Sequence, residues 1–464
     1  MLKKYPALLL TFLAIILARV SIYAQDIPDI EAFQKTDRIL ILAPHPDDEA
    51  IGGAGVIQHA LSAGAQVKIV YLTNSDHNEL AFIVYEKRLT FRKGEFLHMG
   101  QLRCKEAINA MKLLGLNERD LIFLGYPDFG TFTIFSQFWQ TDKPFRNLLT
   151  RTSSVPYKND LSFGSPYVGE SILNDLKKIL LDYKPTKILV SHPADVNLDH
   201  KTFYLFLRVA LLDLNKQISP VKVYPYLIHC VGWPKPRHYH PELDLVPPKN
   251  FLDSQASWLK SNLTPEELEK KHQAILCYRS QTASHAFYLL AFARKNELFG
   301  NYPQIELARQ ASLKEKAPEF FGSTRIFEDS EDEGMLSRDS FIEGQGEVGY
   351  AIVDHCLVIR VDKTKKSIKG LSFMLYVFGY NDKVPFSSMP KIRILIKGKK
   401  HRIYDGKKKV ASPVGFLLDT DSEEVVVHIP LTLLGDPGLI LTSLKAYSGR
   451  LPVDATGFRE IVIK

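Results

Sequence analysis

The sequence predicts an α/β protein: a Rossmann-like layered domain with a mostly parallel sheet, followed by a smaller all-β, sandwich-like domain. From residue 38 to about residue 300, short apolar runs alternate with longer amphipathic ones. That is the pattern of a parallel sheet covered by helices on both faces. Near residue 320 the helical spacing stops and short strands with period-two apolar spacing take over. The chain has 464 residues, too many for one ordinary core. The expected layout is a leader over residues 1–24, the α/β domain over 36–310 and the β domain over 325–464.

Residues 39–43 form an apolar strand, 53–63 open a helix and 67–72 make the next strand. Over 102–114, Ala107, Ile108, Met111 and Leu114 recur at helical spacing, and Gly115 ends the run. Strands are expected at 121–124, 188–190 and 221–228, with helical segments around 172–181 and 201–212. Between residues 126 and 167 no periodicity persists, and a stretch that long inside a domain is usually functional or disordered. Its Phe129, Phe132, Phe135, Phe138 and Trp139 predict an ordered flap whose aromatic faces suit sugar rings. The acidic run at 328–334 has the composition of a linker. Strands then follow at 357–361, 371–378, 391–397, 425–429 and 461–463. In 391–397 the isoleucines take every second place and so share one face.

Hydrophobic residues make up 45% of the chain and charged residues 24%, the proportions of a globular protein. A net charge of +7 and a pI near 8.9 suit an anionic contact such as a membrane surface or an acidic polysaccharide. No nucleic-acid partner is expected. The lysines of the β domain, among them Lys363, Lys369, Lys399, Lys400 and Lys409, are either solvated hairpin tips that discourage edge pairing or part of a glycan-binding face. The amino terminus carries Lys3 and Lys4, an apolar run over 7–17 and then Ala24 before a polar segment, the order of a secretory leader. That run is shorter than the ~20 residues a membrane helix needs, and Arg19 interrupts it. Export to a periplasmic or extracellular compartment is the expectation, with an uncleaved anchor as the alternative. The four cysteines lie far apart without any CxxC spacing, which argues against a thiolate zinc site.

Two clusters carry the chemistry. The first strand runs into Pro44-His45-Pro46-Asp47-Asp48-Glu49, and the strand at 188–190 runs into Ser191-His192-Pro193-Ala194-Asp195-Val196-Asn197-Leu198-Asp199-His200. In parallel sheets, sites form beyond the carboxyl ends of strands. Adjacent buried carboxylates there need a cation. Two imidazoles and one carboxylate leave a coordination position open for water, the mark of a catalytic rather than a structural zinc site. The competing structural reading makes Asp47-Asp48 a helix N-cap and His200 a core histidine. The glycines at 52, 53 and 55 lack dinucleotide-binding spacing, and no GxSxG elbow is present.

These motifs resemble the two signatures of the PIG-L/LmbE-like zinc-dependent N-acetylglucosaminyl deacetylases. Thr73-Asn74-Ser75-Asp76, Arg103 with Glu106, Leu124-Gly125-Tyr126-Pro127-Asp128, then Tyr278, Ser280, Gln281, Arg294 and Glu297 follow in the family's order over roughly residues 36–300. The resemblance implies a hydrolase that removes an N-acetyl group from an amino sugar or glycoconjugate. It implies Zn2+ held by His45, Asp48 and His200, with Asp47 as the base. It places Arg103 on a sugar hydroxyl or phosphate with Glu106 orienting it, and Asp76 and Asp128 among the substrate-binding residues. One departure is visible: many members carry a histidine three residues before the last ligand, where this chain has Asn197. Asn197 then performs a weaker form of that histidine's task, or His192 or His229 supplies it. Two alternatives stay open on the sequence: a glycan-binding protein with weak or no catalysis, and an amidase for a non-sugar conjugate.

Overall fold

The computed structural model describes residues 27–77, 92–140, 142–248, 251, 256–310, 321–325, 347–362, 370–421 and 424–464. The expected leader, the acidic run at 328–334 and Lys363 to Lys369 lie outside them. The first sheet contains β1 (Arg38–Ala43), β2 (Gln66–Thr73), β3 (Leu121–Tyr126), β4 (Lys187–Ser191), β5 (Lys222–Tyr226), β6 (Ser257–Asn262) and β7 (Asn296–Asn301). Their order across the sheet is β3-β2-β1-β4-β5-β7-β6. The β1–β2, β2–β3, β1–β4 and β4–β5 pairs are parallel, and β7 runs antiparallel to β5 and β6 at one edge. Helices connect the strands: α1 (Asp48–Ser62), α2 (Lys93–Leu113), α3 (Thr131–Gln137), α4 (Gly169–Tyr183), α5 (Leu198–Asp213), α6 (Pro265–Leu276) and α7 (Arg279–Leu289).

The chain winds from β1 outward to β3, then returns to place β4 on the other flank of β1. That reversal is the topological switch point, where the loops after two neighbouring strands diverge and leave a crevice. Leu42 of β1 sits opposite Val190 of β4, so both strands deliver their following loops to the same end of the sheet. Two apolar clusters cover the sheet. Ile39, Ile41 and Tyr71 face the side of α1, α2 and α6, whereas Leu40, Leu42 and Val190 face α4 and α5. Gly52 explains one glycine at the start of α1. A Cβ there would meet the Tyr226 ring at 2.6 Å, and Tyr226 OH donates to Leu42 O at 2.8 Å. The glycine therefore serves close helix–sheet approach.

Two further sheets make the β region. The strands Glu347–Val353, Cys356–Asp362 and Glu424–Pro430 pair antiparallel in the first. In the second, Ser372–Tyr380 pairs antiparallel with Lys391–Lys397 and with Leu439–Ser448. Ile352, Ile359 and Val427 from one sheet and Val377, Ile394 and Leu444 from the other share one buried cluster. The region is thus a β-sandwich closed by period-two strands. It begins earlier in the chain than the sequence suggests. Ile305–Leu307 pairs in parallel with the last strand, Arg459–Ile463. This three-residue strand is too short to show an alternating pattern.

The flap is ordered, but its aromatics do not present themselves to solvent as the sequence suggests. Phe135, on α3, is fully buried. Its ring centroid lies 5.0 Å from Phe206, 5.3 Å from Trp139, 5.4 Å from Phe378 and 5.7 Å from Phe386. These rings belong to both regions, so the flap is the apolar wedge between the α/β layer and the sandwich. Phe129 is the exception and is exposed. Truncating the wedge as Phe135→Ala should cost about 3–5 kcal/mol. Urea unfolding of the full chain should show that loss through a lower midpoint.

Candidate metal centre

The site is built at the switch point. The loop after β1 carries His45, Asp47 and Asp48, and the loop from β4 into α5 carries Asp195, Asn197, Asp199 and His200. His45 Nδ1 lies 3.2 Å from Asp48 Oδ2, His200 Nε2 lies 3.1 Å from the same oxygen, and the two nitrogens lie 3.3 Å apart. All three residues are buried. Corners of a tetrahedron with metal–ligand arms of about 2.1 Å are about 3.4 Å apart. The three donors therefore have the mutual spacing of ligands around one small divalent ion.

The other ring nitrogens face carboxylates. His45 Nε2 lies 3.2 Å from Asp128 Oδ1 and 3.4 Å from Asp199 Oδ2. His200 Nδ1 lies 3.1 Å from Asp195 Oδ2. A ring N–H given to a carboxylate leaves the opposite nitrogen with a lone pair. With protons on those outer nitrogens, His45 Nδ1 and His200 Nε2 would turn lone pairs toward each other and toward Asp48. That arrangement needs a positive charge at its centre, from a metal ion or from protons. Burial pushes both imidazoles down, but the surrounding carboxylates reverse the shift. Asp128, Asp199 and Asp48 hold His45 well above its ordinary value, and Asp195 and Asp48 bring His200 up to about 9. The donor set fits a divalent cation, which would replace those protons.

The acids around the ligands are themselves fixed. Phe129 N donates to Asp199 Oδ2 at 2.7 Å, and the Thr131 hydroxyl donates to Asp199 Oδ1. His77 N and Ser75 Oγ donate to Asp128 Oδ2 at 3.2 and 3.3 Å. Ile228 N and His229 N donate to Asp195 Oδ2 at 3.2 and 2.9 Å. Asp195 and Asp199 lie inside the second motif, but sequence alone gave them no task. The signal available was their placement three and two residues from turn or cap positions in the loop that carries His200.

Asp47 stands apart from the donor triangle. It occupies the N-cap position of α1, yet its side chain makes no capping bond, and its backbone has φ 125°. Such a conformation in a non-glycine residue costs of order 1–3 kcal/mol and persists only where surroundings enforce it. Arg103 Nη2 donates to Asp47 Oδ2 at 2.9 Å and also to Pro46 O, which holds the carboxylate out of the capping geometry. Burial raises the Asp47 carboxyl to about 7 against the pull of Arg103, with Asp48 adding to the rise. The N-cap explanation of this acid therefore fails on geometry.

The residues assigned to substrate are mostly employed inside the protein. Arg103 is 2% exposed and is held on Asp47, Pro46 and Ser75. Glu106 accepts from Ser280 N at 2.8 Å and Ser280 Oγ at 2.6 Å, so it anchors α7 instead of orienting Arg103 through a hydrogen bond. Asp76 is buried and accepts from Tyr157 OH at 2.6 Å. Asp128 lies against His45. Asn197 caps α5, its side chain accepting from Asp199 N at 2.8 Å. Of the two histidines considered in its place, His192 is fully buried among Phe251, Trp258 and Tyr302. Burial brings its imidazole down to about 3, and its Nδ1 accepts from Ala194 N. His229 is half-buried, with its ring 4.7 Å from that of His200 and stacked on Tyr288.

A parallel sheet with a His/Asp cluster at its switch point defines an α/β-layered protein with a candidate divalent-metal centre. Residues 40–211, from β1 into α5, match the PIG-L family, described as GlcNAc-PI de-N-acetylase. A curated relative, the 1D-myo-inositol 2-acetamido-2-deoxy-alpha-D-glucopyranoside deacetylase of Mycobacterium avium (strain 104), is 31% identical over 84 residues. That match takes 18% of this chain and spans only about a quarter, 27%, of the relative's length. Among solved structures, the N,N'-diacetylchitobiose deacetylase from Pyrococcus horikoshii gives a TM-score of 0.32 at 18% identity, covering 53% of this chain and 70% of that one. A deacetylase of teicoplanin biosynthesis gives 0.36 at 16% identity, covering 57% and 97%.

Elemental analysis of the purified chain should find about one divalent ion per molecule, and His45→Ala or His200→Ala should abolish it. Asp195→Asn leaves all three donors in place and should weaken metal affinity 10–100-fold, read by competition with a chelating dye.

Proposed function

We propose that the chain is a metal-dependent hydrolase that removes an N-acetyl group from an amino sugar or glycoconjugate. The observation that carries this reading is a buried triangle of metal-type donors beside one strained carboxylate that is not part of it. The family match and the named relative supply the amide and the sugar. Zinc is the ion proposed, because two nitrogens and one oxygen suit it, although other divalent ions accept the same set. When bound, the ion would polarise the acyl carbonyl and acidify water in the crevice.

The chain's own groups do the rest. Asp47 takes the proton of the attacking water and then gives it to the departing amine. Arg103 fixes the direction of that carboxylate, and Asp128, Asp195 and Asp199 hold the two imidazoles in the tautomers that leave lone pairs on the triangle. Asn197 is engaged in capping α5, so the half-buried His229 is the better placed donor toward the developing oxyanion. Export belongs to the same proposal and rests on the amino-terminal sequence; among the described residues no helix is long and apolar enough to cross a membrane.

Acetate release from N-acetylglucosamine-containing substrates should fall about 10²–10⁴-fold in Asp47→Asn, with metal content unchanged. Equal activity in both proteins would overturn the assignment of the base, and wild-type protein that binds the glycan without releasing acetate would overturn the hydrolase reading. Asp47 works as its carboxylate, so kcat/KM should rise with pH to a plateau. The midpoint of that rise should lie at or below about 7, the value the metal-free pocket gives, because a nearby cation favours the ionised form.

A further inference from the structure

The β-sandwich contributes no side chain to the donor triangle, yet one of its segments grips the loop that carries His200. Residues 456–458 lead into the last strand, Arg459–Ile463. Phe458 N donates to Pro193 O at 3.1 Å. A Cβ on Gly457 would stand 2.8 Å from Ala194 Cβ and 2.9 Å from the Tyr302 ring, so the backbone there touches the loop directly. Glu460 is buried and accepts from Tyr204 OH at 2.8 Å and from Arg208 Nη2 at 2.9 Å, both on α5, and from Gln304 at 3.0 Å. Pro193 and Ala194 precede Asp195, and Tyr204 and Arg208 follow His200 by one and two turns. The same four-residue strap thus holds the second metal loop on both sides of its ligand.

The loop is also tied by its own turns and by the neighbouring strand ends, and the strap adds the direct contact at Pro193 and Ala194. Ala194 N donates to His192 Nδ1 at 3.1 Å and Asp195 N to His192 O at 3.0 Å, both local turns. Further ties run to β5 and the loop after it, from His192 N to Tyr226 O at 2.7 Å, from Val196 N to His229 O at 2.9 Å and from Ile228 N and His229 N to Asp195 Oδ2, and to the flap through Asp199. Phe458 is itself seated between Phe132 of the flap and Phe378 of the sandwich, with centroids 6.1 Å from each. Since Thr131, next to Phe132, holds Asp199, the seat of the strap is continuous with the support of His45.

We propose that residues 457–460 are a positioning strap: the sandwich fixes the 191–200 loop in its ligating geometry and so sets how tightly the centre holds its ion. This rests on the metal-binding reading above. A ligand set is held in place by its outer contacts, and loss of one such contact typically costs 10–100-fold in affinity.

The test compares full-length wild type with Gly457→Val, Glu460→Gln and a control, Ile359→Ala, which opens a cavity in the sandwich core away from the strap. Zinc affinity is measured by chelator competition, and amide hydrogen exchange over 191–200 is measured on metal-free protein. Both strap variants should bind zinc 10–100-fold more weakly and exchange faster over 191–200, while the control keeps wild-type values for both. Strap variants with wild-type affinity and exchange, or a control that loses as much as they do, would overturn the proposal. Should Gly457→Val fail to fold, Glu460→Gln carries the comparison. If wild type itself binds no zinc, the metal reading fails, and unchanged exchange over 191–200 in the strap variants would still sink the strap on its own.

Discussion

The structure depends on one electrostatic constraint: more buried negative charge than positive at the carboxyl ends of β1 and β4. Asp48, Asp128, Asp195 and Asp199 are all buried around two imidazoles. Carboxylates placed in low dielectric without compensation would be protonated or would expel the loop toward water. Here Asp48, Asp128 and Asp195 are instead held below their ordinary range, because His45 and His200 more than offset the burial that pushes them up. The charge comes to rest at the centre of the His45–Asp48–His200 triangle. Everything nearby serves to keep those groups from relaxing apart, including the strained backbone of Asp47 and the salt bridge that anchors its carboxylate.

That demand explains why the supports reach so far from the ligands. Asp199 is held by the first turn of the flap helix, the flap is wedged by aromatic rings of the sandwich, and the loop before His200 is bonded to Phe458. A parallel sheet fixes where its loops start, but not where their tips end. The flap and the sandwich, joined through the same aromatic rings, therefore both brace the loop tips whose groups would share one ion. On the other face, Glu297 accepts from Gly55 N and Val56 N while paired with Lys271, which pins α1 from behind.

Strands with apolar runs, such as those at 39–43 and 69–72, were legible because a strand buried on both faces must be apolar throughout. The triangle was legible because His45 and Asp48 lie in the turn after β1 and His200 in the first turn of the helix after β4, so topology brings the two segments to one end of the sheet. The supports were harder to see. Asp128 and Arg103 are polar residues near a site, and sequence cannot tell a group aimed at substrate from one aimed at a ligand. Only their burial and the distances to His45 and Asp47 separate the two. The flap failed for a similar reason: an aromatic run has the same composition whether it stacks on a ligand or on the aromatic rings of a second domain. Strand 305–307 carries too few residues for any period.

Asn197 shows how this economy shapes chemistry as well as stability. Its side chain accepts from Asp199 N and starts α5, and that helix carries His200 in its first turn. A histidine at the same place would give up a favoured cap, loosening the residue whose carboxylate steadies His45. The amide thus strengthens the metal loop at the expense of a proton donor close to the ion. In the proposed mechanism a neutral donor comes instead from the next strand end. His229, which burial takes down to about 4, stays uncharged there and so would add no repulsion toward a bound cation.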